Sequence, residues 1–219
     1  MLPTITPDKI NLPPGTLLNF PGTLTDYEQL LIKLSERSAI RIRFRDNHVL
    51  LMSPLAEHGK EIDVIVDLVK TLLRYQNRNW DSFHPITLRY GQAGLEPDAC
   101  FYIENYQAIL GKRKLDLSVD PPPDLAIEID VTSFTSIEDY IPLGIPEVWI
   151  YKTGALNIYQ LKGDAYGRLC PRYIATSTSR IFPNFPIKQT VPSYVNLAWE
   201  VGSSVAVQQF SQSLSMNKK

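Results

Sequence analysis

The segment Asp124-Leu-Ala-Ile-Glu-Ile-Asp-Val131 constrains the fold more than any other stretch of this chain. It is mostly apolar and rich in β-branched side chains, the composition of a strand covered on both faces near the middle of a sheet. Two acids interrupt it. Side chains alternate along a strand, so Glu128 and Asp130 share a face with Ala126, while Leu125, Ile127 and Ile129 take the other. A buried carboxylate without a partner costs several kcal/mol, so each of these acids calls for a counter-charge or a cation.

The rest of the fold is read outward from that strand. Glu147-Val-Trp-Ile-Tyr151 reads as a second strand, and a short helix from about Thr135 to Ile141, stopped by Pro142, lies between the two. Strand, helix, strand is a parallel crossover unit. Upstream, Ile62, Ile65, Val66, Val69, Leu72 and Leu73 recur at helical spacing, which predicts a long amphipathic helix from Ala56 to Arg74. Strands are expected at His84–Tyr90 and Glu96–Ile103, joined by the turn-like Gly91–Gly94. Ile40–Arg45 and His48–Ser53 form a hairpin around Asp46-Asn47. Its arginines Arg41, Arg43 and Arg45 fall on one face, as a solvated surface or as contacts for phosphate.

At the ends the signals are weaker. Residues 1–22 contain five prolines and read as an extended arm. Thr25 and Glu28 resemble a capping box that opens a short helix reaching about Arg37. Residues 104–122 form a polar excursion carrying Lys112, Arg113 and Lys114. Strands at Leu156–Leu161 and Arg172–Ala175 follow, and the tail from Ser193 to Leu214 suits one or two helices. The expected organisation is an arm over 1–22, a central domain over 23–191 and a helical tail over 192–219.

Composition limits the function classes. With 219 residues, 44% hydrophobic and a net charge of −1, the chain can bury a sizeable core but is no global polycation. Any grip on nucleic acid must come from a local patch. Cys100 and Cys170 lack metal-ligand or C-x-x-C spacing and suit a reducing compartment. No stretch approaches the roughly 18 apolar residues of a membrane span, and the prolines interrupt any signal-like start. The expectation is a cytoplasmic protein without membrane contact.

Asp98 opens a strand behind Pro97. If that strand neighbours Asp124–Val131, Asp98, Glu128 and Asp130 converge as hard oxygen ligands for Mg²⁺, with Mn²⁺ as substitute. Such an ion suits phosphodiester hydrolysis. The spacing equally allows Asp98 as a plain turn residue and Glu128 or Asp130 paired with an arginine such as Arg89.

Three strings in order, Glu96-Pro-Asp-Ala-Cys100, Pro123-Asp-Leu-Ala-Ile-Glu-Ile-Asp130 and Gly144-Ile-Pro-Glu-Val-Trp-Ile-Tyr151, resemble the Uma family of restriction-endonuclease-like proteins, part of the PD-(D/E)XK nuclease superfamily. Ser53-Pro54 with His58 is similar too, and the resemblance runs from about Thr25 to Leu161. It implies an α/β (α+β) fold with an αβββαβ core, a mixed sheet flanked by helices, followed here by C-terminal helices. It also implies that Asp98 and Glu128 bind the divalent ion, that the carbonyl of Ile129 completes its sphere, and that His58 or Glu61 assists from the long helix. The implied activity is metal-dependent endonucleolytic cleavage of DNA by an enzyme that suits a homodimer.

One departure qualifies the resemblance. The superfamily pattern has lysine two residues after the second acid, and here that position is Asp130. Lys60 and Lys152 are candidate spatial substitutes, and Arg89 a candidate to balance the acids or hold a phosphate. Three acids in close proximity repel, so at least one is expected to have a raised pKa. The alternative function is a catalytically degenerate nuclease-fold module that binds DNA or a protein; a third is an oligomerising structural protein with its acids paired internally.

Overall fold

The structure is a computed structural model and describes residues 12–34, 40–45, 47–53, 55–84, 86–90, 93–130, 136–163 and 170–216. The elements in chain order begin with β1 (Leu17–Pro21), α1 (Leu24–Leu34), β2 (Arg41–Arg45), β3 (His48–Met52) and α2 (Ala56–Tyr75). Next come β4 (Asp81–Phe83), β5 (Leu88–Tyr90), β6 (Ala93–Leu95), β7 (Ala99–Tyr102) and β8 (Leu125–Ile129). The chain finishes with β9 (Glu147–Lys152), β10 (Ala155–Lys162), β11 (Arg172–Thr176), α3 (Ile187–Val201) and α4 (Ser203–Met216).

Strand β8 is buried along its whole length and lies inside a six-stranded sheet of order β11-β10-β9-β8-β7-β4. Its pairing with β9 is parallel and with β7 antiparallel. Helix α2, then β4, β7 and β8, then the crossover and β9 give the αβββαβ order of a restriction-endonuclease-like core. Leu125, Ile127 and Ile129 meet Ile65, Leu68, Val69 and Leu72 of α2, and Val191, Val195, Ala206 and Phe210 of α3 and α4, in one core. Each such buried side chain contributes about 1.5–3 kcal/mol, which holds the helices to that face. The C-terminal helices therefore belong to the same core as α2. Gly202, at φ +91°, breaks the chain between them.

A second, five-stranded sheet has the order β1-β3-β2-β6-β5. Helix α1 covers one face of it, packing Tyr27, Leu30, Leu31 and Leu34 on Ile42, Val49 and Leu51. The cap of α1 is Thr23 with Asp26, whose side chains bond reciprocally to backbone and each other. The box expected at Thr25 and Glu28 is thus two residues off.

Three further expectations are corrected. The end of the predicted arm is the edge strand β1, because its backbone completes the open edge of β3; residues 1–11 lie outside the described residues. The predicted pair of long strands is shortened to β5 and β7, with β4 added before them and β6 between them: β4 and β7 join the large sheet, β5 and β6 the small one. Glu96-Pro97-Asp98 carries the chain between sheets, since proline cannot donate to a ladder. The crossover helix is a 3-10 turn at Ile137–Leu143 that contains Pro142 and closes at Gly144, φ +67°. A proline inside so short a segment removes the α-helical bonds that would extend it. Thr135, where the predicted helix begins, lies outside the described residues.

Candidate active site

Register brings the two principal acids together. Ala99 faces Ile127 across β7 and β8, so one step back along β7 Asp98 faces Glu128, on the side of the sheet away from α2. The same count sets Ile129 opposite Pro97, a residue with no N–H to offer the Ile129 carbonyl. Both acids are buried, Asp98 at 4% and Glu128 at 1% exposure, and the charge of Asp98 acts on Glu128.

Each carboxylate has its own set of donors. Asp98 Oδ2 accepts from His58 Nε2 at 3.0 Å and from the Ile129 N–H at 2.8 Å, and Oδ1 lies 3.5 Å from Arg41 Nη2. Burial pushes Asp98 up, but His58, the Ile129 N–H and Arg41 outweigh it, and the carboxyl titrates below its usual range. Glu128 Oε1 accepts from Arg43 Nη2 at 2.6 Å and from the Tyr140 hydroxyl at 2.5 Å. Burial is stronger here and the Asp98 charge adds to it, so Glu128 is pushed up to about 8 despite Arg43 and Tyr140. Glu128 is thus an acid with a raised pKa, as expected, but burial is the larger cause and the Asp98 charge the smaller.

The placement of the other candidates is uneven. His58, buried in the first turn of α2, is part of the cluster through Asp98. Asp130 sits one step beyond the Ile129–Tyr151 pair, opposite Lys152, and its Oδ2 lies 3.2 Å from Lys152 Nζ. Lys60 is directed elsewhere: its Nζ lies 3.9 Å from the Trp199 ring centroid, on the helical side of the molecule. It sits on α2 just past His58, where the helix has already turned toward α3. Glu61 faces the same side, where Trp199 acts on its carboxyl. The side chain of Arg89, and Pro54 of the Ser53-Pro54 pair, lie outside the described residues.

Sequence reasoning missed Arg41 and Arg43 as members of the site. Alternation had placed them on one face; that face is turned to the acids because Ile42 and Phe44 occupy the side packed by α1. A solvated sheet face, one of the two expectations for these arginines, is overturned for Arg43, whose side chain is only 13% exposed. Tyr140 was missed too; the 3-10 turn that aims it has no periodicity to read.

The donor chemistry suits a hard divalent ion. Such ions take one or two carboxylates and a carbonyl and fill the remaining positions with water, and Asp98, Glu128 and the Ile129 carbonyl are of that kind. Among the described residues no group of three or more His, Cys, Asp and Glu side chains is arranged as a metal site; the expected convergence of three acids is corrected, because Asp130 is turned to Lys152 instead of joining Asp98 and Glu128.

The αβββαβ core, with a Pro-Asp step facing a strand glutamate, defines a restriction-endonuclease-like protein. A family model described as "Uma2: Putative restriction endonuclease" matches residues 24–204; the chain belongs to this family. Among solved structures it is similar to a "putative nuclease belonging to DUF820" from Anabaena variabilis, at 14% identity and a TM-score of 0.52, covering 80% of this chain and 99% of that one. That likeness supports the fold. No curated protein matches the chain. No helix among the described residues is long and apolar enough to cross a membrane.

Proposed function

We propose that this site cleaves phosphodiester bonds of DNA with Mg²⁺, or Mn²⁺ in its place, held by Asp98, Glu128 and the Ile129 carbonyl. The observation that carries the reading is the buried pair of carboxylates at facing register positions of neighbouring strands. Two acids so placed repel unless a proton or a cation lies between them. When bound, a divalent ion polarises a phosphoryl oxygen and lowers the pKa of a coordinated water.

The chain's own groups prepare the site. His58 and the Ile129 N–H fix the orientation of Asp98, and Tyr140 does so for Glu128. Arg41 and Arg43 supply positive charge where a polyanionic backbone must approach, which the net charge of −1 does not provide globally. Lys152, held beside Asp130 from the neighbouring strand, is the lysine closest in role to the one missing from the motif.

The test is a nicking assay on plasmid DNA with and without Mg²⁺ or Mn²⁺. Wild type is expected to nick only with the ion, and Asp98→Ala and Glu128→Ala to be inactive. Undiminished activity in either variant rejects the assignment. The second reading, a degenerate module that binds DNA without cutting it, is favoured by the Arg43 contact on Glu128 and by Asp130 in the lysine position. Salt-dependent DNA binding that persists in Glu128→Ala, without cleavage in wild type, selects it.

A further inference from the structure

We infer that Arg43, together with Arg41, is a partner-switching pair: it neutralises the two carboxylates while no divalent ion is present, and holds the DNA phosphate once an ion has taken them over. The inference rests on the metal-dependent reading above and adds substrate-positioning residues to it.

Four observations lead there. Arg41 and Arg43 alternate on β2, so both reach from the small sheet toward acids carried by the large one. Each arginine has its own acid, Arg41 with Asp98 and Arg43 with Glu128. The pairing is unequal: Arg43 approaches Glu128 to 2.6 Å, while Arg41 remains 3.5 Å from Asp98. Finally, Arg41 Nη1 is buried without a hydrogen-bond partner among the described residues, and a buried guanidinium N–H without an acceptor is costly.

Charge arithmetic links these facts. Without an ion, two guanidinium groups are enough to balance Asp98 and Glu128 even with both ionised. A divalent ion bound to the same carboxylates leaves two positive charges in excess and competes with the arginines for the carboxylate oxygens. A phosphodiester oxygen restores both the charge balance and the hydrogen bonds, and planar guanidinium suits phosphate geometry. The unpartnered Arg41 Nη1 already offers one donor for it.

The experiment compares wild type and Arg43→Gln in two titrations. Calorimetry with Mn²⁺ alone is expected to show the variant binding at least about tenfold tighter, because a competing unit charge is gone. Binding of a cleavage-resistant phosphorothioate duplex in Mn²⁺ is expected to weaken at least about tenfold, its salt slope falling by about one. Without Mn²⁺ the two proteins bind the duplex alike. Mn²⁺ affinity unchanged or weakened in Arg43→Gln, with wild type binding Mn²⁺, overturns the inference and leaves the metal reading standing. Heat in the variant alone supports the switch; no heat in either protein overturns the metal reading itself. If Arg43→Gln does not fold, Arg41→Gln, at a longer and partly exposed contact, is expected to show the same two signs, and unchanged values there overturn the inference.

Discussion

Two sets of buried carboxylates lie within one sheet, and they are satisfied in opposite ways. Glu147, at the start of β9, is fully buried and accepts from Trp149 Nε1, Ser179 Oγ, the Arg180 N–H and Gln160 Nε2. Asp124, just before β8, accepts from three successive backbone N–H groups, those of Ile103, Glu104 and Asn105. Their donors are neutral and belong to the local architecture. Asp98 and Glu128 face each other and, besides one neutral donor each, the Ile129 N–H and the Tyr140 hydroxyl, are met by guanidinium groups and an imidazole. Neutral donors tie a carboxylate to the fold, whereas a cationic partner can be replaced by another cation. The contrast separates acids that hold the structure from acids that remain chemically available, even where both follow a proline, as Asp98 and Asp124 do.

The most direct way to break this distinction is to neutralise each class in turn. Asp98→Asn and Glu128→Gln are expected to reduce nicking by at least about 10²–10³-fold, the scale on which loss of one preorganised electrostatic group is felt. Glu128→Gln should fold as well as wild type, since it removes an ionisable group from a site that disfavours its charge. Urea denaturation beside the nicking assay checks both parts, and a large stability loss in Glu128→Gln would place Glu128 with the structural acids. Glu147→Ala is expected to cost roughly 3 kcal/mol or more, because several buried donors lose their acceptor together. Asp124→Ala should cost about 1–3 kcal/mol by the same count of orphaned groups. Activity per folded molecule should survive both changes.

The site acids were legible because strand alternation and short motifs are local signals. Asp98 and Glu128 follow from a Pro-Asp step and from an acid inside an apolar run, and register supplies the rest. Glu147 shows the limit of such reading, since it belongs to an equally recognisable string, yet its partners at Ser179 and Arg180 lie 32 and 33 residues away. The arginines illustrate it differently. Their common face was evident, but the acids they meet are 57 residues away for Arg41 and 85 for Arg43, and only the packing of two sheets decides that meeting. Likewise the break at Pro97 was visible as a proline and not as the crossing from one sheet to the other.

A smaller test concerns Lys60, a candidate spatial substitute for the missing lysine that the fold places over Trp199. Lys60→Ala is expected to lose about 0.5–1 kcal/mol of stability with the cation–π contact, and to nick at the wild-type rate. A reduced rate at unchanged stability would bring Lys60 back into the site.

Glu61, one residue further along α2, gives the finest distinction. Burial first and then the neighbouring Glu57 raise its pKa above the usual carboxylate value of 4.5, against smaller opposing effects of His58 and Trp199. Above that ordinary value, and up to the raised one, the folded chain binds more protons at Glu61 than the unfolded chain does. Its contribution to stability is therefore fully present below the unfolded pKa and is lost as pH rises through the folded one. The effect is small, because the carboxyl is partly open to solvent, which screens it. Urea midpoints at acidic and neutral pH should fall less steeply with pH in Glu61→Gln than in wild type. Parallel curves would mean that Glu61 behaves as an ordinary surface acid; a loss of nicking in the same variant would move it instead from the helical side to the Asp98–Glu128 site, through the His58 that lies one helical turn before it.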